Sequence, residues 1–200
     1  MKKQILFIHG GESYENMEDF YEYLRMKPIN LNKEKKWTEL LGINLGEDYE
    51  VIYPIMPIKH NADYQAWKIW FERHLEFINY EFILIGHSLG GTFVLKYLSE
   101  NNFLKKISQL NLVAPAVFDD GLTSEKLLTF NFDISKINII SEFCGDIHLW
   151  ASKDDDCVAF ENSERVKENL PNAEFHIFED RKHFNGSTFP EILEVIKQAK

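Results

Sequence analysis

Phe82-Ile83-Leu84-Ile85-Gly86-His87-Ser88-Leu89-Gly90-Gly91 decides how the rest of the chain is read. Its first four residues form a near-continuous apolar run, as in central strands of a parallel sheet that are covered on both faces. Residues 91–98 then read as a short apolar helix. Between them stands G-x-S-x-G, the pattern of a sharp strand-to-helix turn that lifts a serine hydroxyl above the end of a sheet. The glycines answer crowding: neighbouring side chains must vanish for the turn to close, and Gly91 lets the helix approach its strand. A phosphate-cradling loop is disfavoured, because neither G-x-G-x-x-G nor G-x-x-x-x-G-K-[ST] is present. Ser88 is the candidate nucleophile.

Outward from this turn, further short apolar runs read as strands at Gln4–His9, Tyr49–Ile55, Leu110–Ala114, Asp146–Ala151 and Ala173–Phe178. Helical spacing is found over Asp63–Ile78, over Phe160–Leu170 up to Pro171, and over Pro190–Lys197. Strands alternating with helices predict an α/β protein: about six mostly parallel strands, joined by right-handed crossovers, in a three-layer α/β/α sandwich. With no repeat or linker, residues 1–200 read as a single domain. Two stretches break the alternation, 13–36 and 116–143, and both read as lid-like insertions forming a short cap.

The 200 residues carry 22 basic and 32 acidic side chains, a formal net charge of −10, and are 44% apolar. That is enough for one core, and the charge argues against nucleic acid and anionic membrane as partners. The apolar run Ile5–Ile8 is too short for a secretory signal, and no window approaches the roughly 18 apolar residues of a membrane span. Cys144 and Cys157 have neither CxxC nor zinc spacing. The expectation is a cytoplasmic protein with reduced thiols, no metal and no cofactor.

A serine nucleophile needs a base held by an acid, and in hydrolases with this turn the chain order is Ser, then Asp or Glu, then His. His183 follows the last strand and precedes the last helix, which sets it at the carboxyl edge of the sheet with Ser88. His176 competes but lies inside a strand. The acid belongs after Asp146–Ala151, where Asp154-Asp155-Asp156 stands; position alone leaves Asp154 and Asp155 open. Two backbone N–H groups must hold an oxyanion. Leu89 follows the nucleophile, and His9-Gly10-Gly11-Glu12 offers the second amide, from Gly11 or alternatively Glu12.

FIHGG, GHSLGG, ASKDDDCV and KHF, in this order, resemble the retinoblastoma-binding protein 9 (YdeN-like) family of small serine hydrolases. The resemblance covers most of residues 4–199. It implies the α/β-hydrolase fold with strand order 2-1-3-4-5-6, and it makes the second aspartate, Asp155, the triad acid. The implied function is serine hydrolysis, carboxylesterase-like, of a small ester, thioester or amide through Ser88, Asp155 and His183. Alternatives are a catalytically weak hydrolase-fold binding protein, or a lyase or acyltransferase using the same triad. The chain departs from the family at Lys182, where glycine is usual, and at Ala159, where proline is. Leu75-Glu76-Phe77-Ile78-Asn79 lacks the Leu-x-Cys-x-Glu motif, so no retinoblastoma-protein binding is implied. Acidic residues at 12–22 and 154–156 border the expected site and favour neutral or cationic substrates. Phe118, Phe130 and Trp67 either line the groove or pack as ordinary core, and no substrate contact is assigned to them.

Overall fold

The computed structural model describes residues 2–32, 34–120, 122 and 126–199. Within the two lid-like stretches, Lys33, Gly121 and Thr123–Glu125 lie outside the described residues. Six strands form one sheet: β1 (Lys3–Ile8), β2 (Tyr49–Ile52), β3 (Glu81–His87), β4 (Lys106–Val113), β5 (Cys144–Ser152) and β6 (Glu174–Phe178). Their order is β2-β1-β3-β4-β5-β6, and every pairing is parallel. The helices are α1 (Met17–Met26), α2 (Trp37–Leu45), α3 (Tyr64–Leu75), α4 (Leu89–Glu100), α5 (Glu161–Asn169) and α6 (Pro190–Gln198).

Side chains of a strand alternate between faces, and each face here has its own core. Leu6, Ile8, Leu84, Leu110 and Leu149 join Trp67 and Phe71 of α3, Phe93 and Leu95 of α4, and Val166 of α5. Ile5, Phe7, Ile83, Ile85 and Trp150 face the other way, onto Trp37 and Leu41 of α2 and Ile192 and Ile196 of α6. Burying each of these large side chains is worth roughly 1.5–3 kcal/mol, which makes the sheet a rigid platform. The helix after the serine is apolar all round because it is buried nearly all along, Leu89 to Leu98.

Because all strands run the same way, their carboxyl ends share one edge. Gly11 follows β1, Ser88 follows β3, Asp155 follows β5 and His183 follows β6. Both lid-like stretches hold secondary structure: α1 lies in the first, and 3₁₀ segments at Leu128–Phe130 and Ile134–Glu142 lie in the second.

Candidate active site

Ser88 sits between β3 and α4 with φ 55° and ψ −129°, outside the regions ordinary residues prefer. Its N–H donates to the Val113 carbonyl at 2.8 Å, which ties the turn to the neighbouring strand. A Cβ at Gly86 would stand 2.7 Å from Gly91 Cα, and one at Gly90 would stand 2.2 Å from the Ile8 carbonyl oxygen. The turn closes only with hydrogen at both positions. Strain of this kind costs on the order of 1–3 kcal/mol and is held by the packed strand and helix around it.

His183 Nδ1 stands 3.0 and 2.8 Å from the two carboxylate oxygens of Asp155. Both side chains are almost wholly out of water, at 8% and 2% exposure. Asp155 Oδ1 also accepts the backbone N–H groups of Cys157 and Val158, each at 2.9 Å. The carboxylate thus faces three donors, an arrangement that fixes its orientation and keeps the imidazole proton on Nδ1. Asp154 points elsewhere. It accepts from Ser152 Oγ at 2.6 Å and from the Lys182 N–H at 2.9 Å. The Ser152 hydrogen bond, with the Lys182 contacts, holds its pKa below the ordinary carboxylate value.

Lys182, where the resembling family has glycine, adopts φ 50°, the left-handed conformation that glycine takes without strain. Its N–H and Nζ both reach Asp154, the latter at 3.6 Å. Two further groups hold the His183 loop. Trp37 Nε1 donates to the Phe184 carbonyl at 2.8 Å. His87 Nε2 reaches the His183 carbonyl at 3.0 Å, so that nitrogen carries the proton. Burial, with the nearby His183, pushes the His87 pKa down to about 3. Spacing alone gives His87 no role, since it is a variable position of G-x-S-x-G; its one signal is adjacency to Ser88.

Leu89 opens α4, so its N–H has no acceptor within the helix. Gly11 stands across a narrow cleft that also touches Ser88 and is walled by Leu122, Leu127 and Val158. A Cβ on Gly10 would lie 2.9 Å from Ser88 Cβ, and one on Gly11 would lie 2.5 Å from the Lys59 carbonyl oxygen. Glu12, the alternative donor, has its N–H committed to that carbonyl at 2.9 Å. His9 fastens the loop, with Nδ1 on the Gly10 carbonyl at 2.6 Å and Nε2 accepting the Met56 N–H at 2.9 Å. Cap and loop meet above the cleft: the Lys126 N–H donates to the Ser13 carbonyl at 3.1 Å, and Leu122 bridges Val158. A wider hollow lined by Lys2, Lys3, Glu47, Asp48 and Tyr49 lies at the opposite edge of the sheet.

Trp67 and Phe130 are fully buried in the core, their rings 5.2 Å apart, which decides for packing between the two readings left open for them. The acidic stretch 12–22 is largely paired. Glu12 meets Tyr23 at 2.6 Å, His60 at 2.8 Å and Lys27 at 3.4 Å, while Glu18 and Glu22 share Arg25. Burial alone would raise the Glu12 pKa, but those hydrogen bonds and the Lys27 charge outweigh it and hold it below the ordinary value.

A family model described as serine hydrolase matches residues 31–197. Serine hydrolase RBBP9 of Rattus norvegicus is 26% identical over 156 residues, which span 78% of this chain and 81% of that protein. The structure of the ydeN gene product of B. subtilis aligns with a TM-score of 0.70 at 19% identity, over 99% of this chain and 98% of that one. A yden-like hydrolase from Pectobacterium atrosepticum aligns with a TM-score of 0.65 at 15% identity, covering 99% and 90%. The fold is that of the α/β-hydrolases. Among the described residues, no helix is long and apolar enough to cross a membrane.

Proposed function

The chain belongs to the serine hydrolase family whose model matches residues 31–197, and on that premise we propose that it cleaves a small carboxylic ester through an acyl-enzyme intermediate. Ser88 Oγ attacks the carbonyl carbon while His183, through Nε2, takes the hydroxyl proton. Asp155 stabilises the imidazolium through Nδ1–H, and the N–H groups of Leu89 and Gly11 hold the oxyanion. Collapse returns the proton to the leaving alcohol. His183 then deprotonates water, which attacks the acyl-enzyme and frees Ser88. Thioesters and amides fit the same steps.

One observation carries this reading: the buried His183–Asp155 contact stands at the same sheet edge as a serine held at φ 55°. The narrow, mainly apolar cleft favours a small acyl group. A neutral or cationic substrate follows from the net charge of −10 and from Asp156 rather than from the paired stretch 12–22. The working unit is the whole domain with both lid pieces, and its proposed compartment is the cytoplasm.

A fluorophosphonate probe tests the proposal. It should label the wild type at one serine and fail with Ser88→Ala. A folded wild type that stays unlabelled, and does not turn over p-nitrophenyl acetate, would overturn it and favour a binding role. Acyl transfer to an added alcohol in place of water would favour the acyltransferase reading.

A further inference from the structure

We propose that His148, Glu174 and His176 form a binding site for a divalent transition-metal ion of the zinc(II) type, separate from the Ser88 site. His148 lies on β5 and the other two on β6, and the parallel register sets His148 beside Glu174 and Trp150 beside His176. Side chains repeat on one face at every second residue, so Glu174 and His176 project together, as do His148 and Trp150. The ligand atoms converge. His148 Nδ1 stands 3.0 Å from His176 Nε2 and 3.5 Å from Glu174 Oε2, and His176 Nε2 stands 3.8 Å from Glu174 Oε1. An ion with tetrahedral bonds of about 2.0–2.1 Å spaces its ligands by roughly 3.4 Å. The His148–His176 separation falls a little below that distance, and each imidazole meets a different Glu174 oxygen a little above it, so a small rotation of the exposed carboxylate brings one oxygen to both.

The site is built on rigid parts. The His176 ring lies flat on the Trp150 indole, centroids 3.8 Å apart at 12°. Trp150 Nε1 is itself anchored on Asn111 Oδ1 at 3.0 Å. His148 is 9% exposed and His176 19%, whereas Glu174 is 67% exposed on an edge strand, so an ion has a route in from solvent. Desolvation lowers the pKa of both imidazoles, which favours the neutral form that ligates. Only one proton fits between two facing ring nitrogens. On binding, that proton shifts to the far nitrogen of its own ring, and each imidazole offers a lone pair. Two imidazoles and a carboxylate leave a fourth position for water, a donor set suited to zinc(II), cobalt(II) or nickel(II). His148 precedes the end of β5 by about 13 Å of strand, so the site lies away from the edge carrying Ser88.

A second convergence of donors exists at Asp155, Cys157 and His183, and the test must tell the two apart. Zinc(II), then cobalt(II), is titrated into chelator-treated, tag-free full-length protein. One ion per chain is expected, with the intense visible bands of four-coordinate cobalt and a melting temperature that rises with zinc concentration. Glu174→Ala, at an exposed side chain, should weaken zinc binding at least about tenfold and leave ester turnover unchanged. His176→Gln should do the same, and Glu174→Lys, which sets an ammonium in the site, decides if that variant fails to fold. Cys157→Ser should keep the wild-type affinity. Absence of binding, or binding that survives the Glu174 variants and is lost with Cys157→Ser, overturns the proposal. Ester hydrolysis is not the readout, so failure here leaves the Ser88 chemistry untouched.

Discussion

His87 holds the main chain of His183: its Nε2–H donates to the His183 carbonyl across 3.0 Å, in a fully buried contact. The residue next to the proposed nucleophile therefore positions the loop that carries the proposed base. His87→Leu removes the donor at similar bulk and leaves a buried carbonyl unpaired, at a cost of about 1–3 kcal/mol in denaturant unfolding. Misplacing the imidazole should lower kcat by roughly ten- to a hundredfold with KM little changed. His87→Gln, which keeps a donor, should recover part of both. A fully active His87→Leu would reduce the contact to packing.

The neighbours Asp154 and Asp155 should separate cleanly. Asp155→Asn keeps the shape but disturbs the Nδ1–H tautomer of His183, and kcat for a p-nitrophenyl ester should fall by roughly 10³–10⁴. Asp154→Asn touches only Ser152 and the Lys182 turn, so a loss of about tenfold or less is expected. Equal losses would contradict the geometric assignment.

Much of this was legible in the residues, and the exceptions have physical causes. The four inner strands were visible because both sheet faces are covered there, which leaves apolar runs such as Phe82–Ile85. The edge strands Tyr49–Ile52 and Glu174–Phe178 are only partly buried and showed through shorter apolar stretches. Helix α1 was not visible: Met17, Phe20, Tyr21 and Leu24 keep helical spacing, but the helix lies outside the core, with none of its side chains buried, so no strand–helix alternation announces it. It is set instead by the Asn16 cap on the Asp19 N–H and by Arg25 with Glu18 and Glu22. Helix α2 was hidden although Trp37, Leu41 and Leu45 form a buried stripe, because it has only nine residues and holds Gly42, a poor helix former, at its middle. Ser88 and His183 could be named as candidates from motif and order. The candidate aspartate could not be chosen from position, since a tight turn that puts the Cys157 and Val158 amides on Asp155 leaves no spacing signal.

Lys182 stands at φ 50° just before His183. Lys182→Gly relieves that conformation and loses only an exposed ion pair with Asp154, worth little in water. Stability should rise by up to about 1 kcal/mol, with turnover near wild type. Lys182→Val, β-branched at the same angle, should lower both. A destabilised glycine variant would mean that the Asp154 contact outweighs the strain.

Gly11→Ala tests the oxyanion loop. The added methyl would meet the Lys59 carbonyl at 2.5 Å and the Trp67 ring at 3.1 Å, so the backbone must move. If the Gly11 N–H holds the oxyanion, kcat should drop by about 10²–10³ while fluorophosphonate labelling slows in parallel. Unchanged rates in a folded variant would shift the second donor to another amide.

Acid stability follows from the buried histidines. His87 stays neutral in the fold down to about pH 3, whereas an imidazole in the unfolded chain takes a proton near 6.5. Between these values the unfolded state binds the extra proton, so stability falls as pH falls, by up to about 1.4 kcal/mol per unit. His9, His148 and His176, their pKa values lowered chiefly by desolvation, act in the same direction. Asp154 and Glu12 have depressed pKa values, so their contribution is intact above the ordinary carboxylate range and is lost only as pH drops through and below it. Urea midpoints should hold steady from pH 8 to 7, decline from about pH 6.5, and steepen below about pH 4. His87→Gln removes one of the protons taken up on unfolding. It should flatten the decline between pH 6 and 4, and a slope unchanged from wild type would show that His87 is already charged in the folded protein.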